Sequence, residues 1–188
     1  VLCLKAALAA ITSEDYRILF LFNTQSLYHL VERTISEYYA RESKSAVDWG
    51  KVHVLHAWGG KAREGLYSKT CDDYGIRPLT FNDVRDQGNA LAAIYRDLNV
   101  KIGSQVQPIY DLVLIDEAQD FPTEVFNFVW KLTKDPKRIV VAYDDFQSLT
   151  SLKARTPEEL FGTNEEGECL VSSAQLEGEY AGGIAKDF

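Results

Sequence analysis

Val113-Leu114-Ile115-Asp116-Glu117-Ala118-Gln119-Asp120 is the stretch that decides the fold. Three apolar residues run straight into two adjacent acids, the pattern of a buried strand whose C-terminal tip carries carboxylates. In open α/β sheets, ligands sit at that edge. Adjacent acids there suit a nucleotide hydrolase: the first can hold a Mg²⁺ ion bridging phosphate oxygens, and the second can orient and deprotonate the attacking water. Mg²⁺ takes most of its ligands from water and phosphate, so one Asp is sufficient. A strand followed by two acids is, on its own, also an ordinary solvated turn, and the flanking elements have to decide.

Working outward, Arg17 to Phe22 (RILFLF) is a continuous apolar run of strand length, the signature of a strand covered on both faces in a parallel sheet. Lys51 to Leu55, Tyr110 to Ile115 and Arg138 to Ala142 supply three more short strands. Helical periodicity fills the gaps at Leu2 to Ile11, Ser26 to Tyr39, Asn89 to Leu98 and Thr123 to Leu132. Residues 61–100 read as mostly helical, with a break at Gly75-Ile76-Arg77-Pro78, and are expected to form an inserted lobe. Beyond Leu149 the chain is polar and Gly-rich, with loops expected around Gly162 to Gly167 and Gly178 to Gly183. Strands alternating with helices predict an α/β doubly wound fold, a mostly parallel sheet flanked by helices.

Composition sets limits. The 188 residues, 46% of them hydrophobic, supply one domain with a sizeable core. No apolar run is long enough for a membrane span. Cys3, Cys71 and Cys169 lie far apart without metal-ligand spacing, which fits a reducing cytoplasm. A net charge of −8 argues against coating duplex DNA by bulk charge. It leaves room for a local groove of amides, hydroxyls and aromatics that tracks a single strand.

The longer strings sharpen this picture. Asp116-Glu117-Ala118-Gln119-Asp120 resembles the Walker B element of UvrD/Rep-type superfamily 1 DNA helicases. Ala142-Tyr143-Asp144-Asp145-Phe146-Gln147-Ser148-Leu149 resembles their next motif, usually Gly-Asp-x-x-Gln-Ser, with Tyr143 where Gly is usual. Both follow apolar strands, with room for one helix between them. The resemblance implies a RecA-like P-loop NTPase fold spanning 1–188 as part of a first motor domain, with ATP and Mg²⁺ as cofactors. It implies Asp116 as the metal ligand, Glu117 as general base, Gln147 as a contact to the γ-phosphate or lytic water, and Asp144 in support. Gln119 and Asp120 would couple this edge to neighbouring motifs.

Two further strings are similar to the family's strand-contacting motifs. Phe22-Asn23-Thr24-Gln25-Ser26-Leu27 resembles motif Ia, implying DNA-backbone contacts from Asn23, Thr24 and Gln25. Thr24 or Ser26 would serve equally as a helix cap. Val54-Leu55-His56-Ala57-Trp58 resembles the motif written Thr-x-His, with Val54 in the Thr position. His56 would meet a phosphate, and Trp58 would either stack on a base or pack as a core or lid residue. His53 reads as a strand residue. Trp49, Trp130, Phe126 and Phe128 read as core or interface aromatics.

The family's phosphate-binding loop, ending Gly-Lys-Thr, is not in this sequence; Leu2 to Ile11 resembles the helix that follows it, so the loop is expected immediately before Val1. A second RecA-like domain is expected downstream, and without it this stretch alone is expected not to turn over ATP. The function implied is an ATP-dependent helicase or translocase on single-stranded DNA, in repair, recombination or defence. The alternative is an inactive helicase-like module that binds DNA or a protein partner. A metal nuclease using Asp111, Asp116 and Glu117 is a third reading.

Overall fold

A computed structural model of the chain describes residues 1–13, 15–60, 63–142, 156–163, 167–169, 177–179 and 185–187. Its centre is a four-stranded, all-parallel sheet made of β1 (Ile18–Phe22), β2 (Val52–His56), β3 (Leu112–Ile115) and β4 (Ile139–Val141), in the order β2-β1-β3-β4. Strand β1 is interior, and all five of its residues are buried. Its register sets Phe20 against Val54 on one side and Leu114 on the other.

Alternation along β1 divides the core in two, because successive side chains leave a strand on opposite faces. Ile18, Phe20 and Phe22 pack with Val52, Val54 and Leu114 against α1 (Leu2–Thr12) and α2 (Tyr28–Ser43). Leu19 and Leu21 pack with Val113 and Ile115 against α3 (Leu66–Asp73), α5 (Ala90–Ile102) and α6 (Thr123–Leu132). Helices therefore cover both faces of the sheet, as the apolar strands require.

The segment expected as an inserted lobe is helical and broken where Gly75 takes a positive φ of 65°. It does not own a separate core: Leu66, Tyr67, Cys71, Ile94, Tyr95 and Leu98 belong to the same cluster as Val113 and Ile115. Helix α5 is the crossover from β2 to β3, begun by Asn89, whose side chain accepts the Ala92 N–H at 3.0 Å. The short helix α4 (Phe81–Val84) lies between α3 and α5.

Strand and helix boundaries shift by a few residues. Tyr110, expected inside β3, instead makes an isolated bridge to Thr133. The expected helix at Ser26 opens as a 3₁₀ turn, Gln25–Leu27, before α2. In the polar C-terminal stretch, α7 (Pro157–Phe161) stands where no element was expected, capped by Thr156 with Pro157 in its first turn. Gly178, expected in a loop, lies in β5 (Glu177–Glu179), which pairs antiparallel with β6 (Ala185–Asp187). Trp49, read as a core or interface aromatic, is 41% exposed and is not part of the core. Among the described residues no helix is long and apolar enough to cross a membrane, and all three cysteines are free.

Candidate functional site

Strand β3 delivers Asp116 and Glu117 to the C-terminal edge of the sheet. The Asp116 N–H still reaches the Leu21 carbonyl at 2.9 Å, so its backbone continues the ladder. Glu117 then takes a left-handed conformation (φ 51°, ψ 50°), and Ala118 N–H returns to the Ala142 carbonyl at the end of β4 at 2.9 Å. The carboxylate pair is thus held by hydrogen bonds to both neighbouring strands rather than lying on a loose turn.

Asp116 is half-buried. Burial pushes its carboxyl up from the usual value, against the pull of the Glu117 N–H that it accepts. The Cys3 thiol in α1 is pushed up first by burial and then by the Asp116 charge. Leu2, in the first turn of α1, shares a core cluster with Leu114, two residues before Asp116. Among the described residues no Lys or Arg forms an ion pair with Asp116, and no cluster of three His, Cys, Asp or Glu side chains forms a closed metal cage. A partly desolvated carboxylate lacking a basic partner fits a divalent cation whose remaining ligands are water and phosphate.

The Gln119 amide donates to the Glu117 carboxylate, fixing the direction in which Glu117 faces. Asp120 is exposed. Asp144 and Gln147, with Tyr143, lie outside the described residues. Asp111 sits at the opposite end of β3, five residues from Asp116, which at strand rise is about 16 Å. It is tied there to the Arg17 N–H and to Lys134. Burial raises its carboxyl, but these hydrogen bonds and the charges of Lys134 and Arg138 bring it below the usual range. Asp111 and Asp116 cannot share a metal, which removes the geometric basis of the nuclease reading.

The second half of the site is built from the ends of β1 and β2. Asn23, Thr24 and Gln25 follow β1, with Thr24 and Gln25 exposed. His56, only 7% exposed, ends β2 and joins the two loops. Its Nδ1 accepts the N–H groups of Trp58 and Gly59 at 3.0 and 3.1 Å, which puts the ring proton on Nε2, where it is donated to the Asn23 carbonyl at 2.7 Å. Burial pushes the imidazole down from its ordinary value, partly offset by the bond to Asn23. With both ring nitrogens engaged by main chain, His56 braces the loops; a phosphate contact from this ring would require breaking that bracing.

Comparison with known protein families, curated proteins and solved structures finds no match.

Tyr28 was read only as part of a helix, yet it ties three segments together. Its hydroxyl accepts the His56 N–H and donates to the Glu64 carbonyl, both at 2.7 Å. Phe22 packs edge-on against its ring, and the Arg63 guanidinium lies 3.7 Å from the ring centre while pairing with Glu32. Gly59 and Gly65 cross so closely that a Cβ on Gly59 would stand 2.2 Å from the Gly65 nitrogen. On the other face, Tyr95 donates its hydroxyl to the Ala57 carbonyl at 2.7 Å. No sequence pattern announces these hydroxyl contacts, because their partners are main-chain groups brought together only in the folded chain.

Proposed function

We propose that this chain is part of the first RecA-like motor domain of an ATP-dependent superfamily 1 translocase or helicase acting on single-stranded DNA. One observation carries the reading: the Asp116-Glu117 pair closes an internal parallel strand whose Leu114 packs with Leu2 at the start of α1, at the same sheet edge as the loops that end β1 and β2. Nucleotide and strand would then share one edge of one sheet, which is what coupling hydrolysis to movement needs.

In this reading, the phosphate loop expected before Val1 leads into α1, so the phosphates lie against Asp116. Asp116 would hold Mg²⁺, which offsets the charge of the β- and γ-phosphate oxygens. Glu117, oriented by Gln119, takes a proton from water as the water oxygen bonds to the γ-phosphorus and the bond to ADP breaks. Gln147 and Asp144 would report the state of the γ-phosphate. A second RecA-like domain would close the cleft, and Asn23, Thr24 and Gln25 would meet the DNA backbone.

Glu117→Gln, made in the longer protein that this reading implies, is expected to lower ATP turnover by about 10²- to 10⁴-fold while nucleotide binding survives. Turnover at the wild-type rate would remove Glu117 from the role of base. A helicase-like module without turnover is the second reading, favoured by Tyr143 at the usual Gly position; the wild-type turnover assay separates the two.

A further inference from the structure

Strand β2 forms one border of the sheet, and part of that border is unpaired. In a parallel ladder, successive residues of a strand turn their N–H and C=O groups to opposite sides. The Ile18 N–H reaches the Lys51 carbonyl at 2.8 Å and the Ala57 N–H reaches the Phe22 carbonyl at 2.9 Å. Lys51, His53, Leu55 and Ala57 therefore bond to β1, and Val52, Val54 and His56 face outward. The His56 N–H is taken by the Tyr28 hydroxyl at 2.7 Å, and the Val52 N–H by the Asp48 carbonyl at 3.1 Å. Beyond them the border is closed where His56 bridges Gly65. Among the described residues nothing pairs with the N–H and C=O of Val54 or with the C=O of Val52.

A groove runs along this gap. One cavity of about 410 Å³ is lined by Val52, His53, Val54 and Leu55, and a second of about 460 Å³ lies against α2; Trp49 and Glu32 border both. An open strand edge is a template for pairing with another chain. The gap offers one donor and two acceptors, and one extended peptide can satisfy all three with its own main chain. The side chain set opposite Val54 would leave the sheet on the face covered by α2, on the side of Trp49.

Charge selects the occupant. Arg33, Arg63 and Lys69 line the groove, and each already holds a carboxylate, those of Glu37, Glu32 and Asp73. Glu64, exposed in the same groove, has no ion pair among the described residues. The charge left to satisfy is negative, on a chain whose net charge is −8. Trp49 adds an exposed indole face, which attracts cations. A second copy of this chain fits less well. Two-fold pairing at Val54 would exchange only that residue's two bonds, because the flanking Val52 and His56 N–H groups are occupied. It would also bring two acidic bodies together.

We propose that the open edge of β2 receives a short, extended, basic segment of a partner protein. The segment adds a strand at Val52 and Val54, reaches Glu64 with one cationic side chain and lays another on Trp49. This site does not depend on the reading of Asp116 and Glu117.

The test adds a blocked heptapeptide of alternating lysine and valine to the 188-residue chain and follows hydrogen exchange at the Val54 amide, which is expected to slow. A copy of the peptide N-methylated along its backbone keeps the charge but cannot donate, and should bind about tenfold more weakly or worse. The corresponding peptide of glutamate and valine should bind more weakly than the lysine peptide. Glu64→Gln should weaken the lysine peptide about 2- to 5-fold, and Trp49→Ala by about the same factor. Both side chains are exposed, so melting should be unchanged in each variant. No protection of Val54 by the lysine peptide at millimolar concentration would overturn the proposal, as would equal binding of the N-methylated copy or tighter binding of the glutamate peptide. Protection of Val54 that grows with protein concentration alone would overturn it too, by assigning the edge to a second copy.

Discussion

A proton decides what His56 can do. As neutral imidazole it accepts two N–H groups at Nδ1 and donates to Asn23 from Nε2; protonated, it would turn Nδ1 into a donor facing two donors and push the loops apart. The burial that depresses its titration protects the neutral form. Single-strand affinity should therefore hold at neutral pH and weaken only below about pH 6.5, where the folded imidazole, titrating under its ordinary value, takes up a proton. A direct phosphate contact by His56 would do the opposite, so tighter binding in acid would refute the brace. Stability follows the same sense. A histidine whose folded value is depressed costs the fold nothing above the unfolded value, and stability is lost as pH falls through that value, because the unfolded chain takes up the proton first. His53 shares the direction, chiefly through burial. Melting temperatures of wild type and His56→Asn over this range should converge in acid, since Asn can keep the turn at Trp58 and Gly59 and does not titrate.

At the scale of elements, β1 concentrates the packing. Leu21 is fully buried on the face covered by α3, α5 and α6, and Phe20 on the face covered by α1 and α2. Leu21→Ala is expected to cost about 2–5 kcal/mol and Phe20→Ala about 3–5 kcal/mol, read from denaturant midpoints. This strand was legible from RILFLF alone, because an uninterrupted apolar run makes sense only where both faces are covered. The acids at the tip of β3 were legible for the same reason: apolarity ends where the strand leaves the core. Helix α7 was overlooked although Thr156-Pro157-Glu158-Glu159 spells an N-terminal cap, because its five residues are too few to show periodicity. The exposure of Phe81 and Trp49 was also illegible. Aromatics read as core unless something local turns them outward, such as the two hydrogen bonds that Thr80 donates to Asp83 across the turn at Phe81.

For the molecule as a whole, the charge of −8 sets how a nucleic acid can be held. With the body repelling phosphate, attachment has to come from a few close contacts. Each phosphate met by a cationic side chain on a single strand contributes about −0.7 to the slope of log affinity against log salt. Asn23, Thr24 and Gln25 carry no charge, so the slope for this chain should be shallower than about −1.4, the value for two cationic contacts. A much steeper measured slope would point to an extended basic track, which the composition does not supply. The covering of both faces of the sheet has its own counterpart at this scale: α1 and α2 on one side, and α3, α5 and α6 on the other, leave only the sheet's edges and strand ends to meet ligands.

The strand order also governs how this molecule comes into being. Strand β1 lies between β2 and β3, and the Arg17–Asp111 bond at the start of the β1–β3 pair joins positions 94 residues apart. During synthesis the most apolar strand must wait, one edge bare, until the 94 residues from Arg17 to Asp111 have followed it from the ribosome. Long-range parallel pairing is slow for this reason. The interval before β3 arrives is when the chain is most exposed to self-association and most dependent on a chaperone.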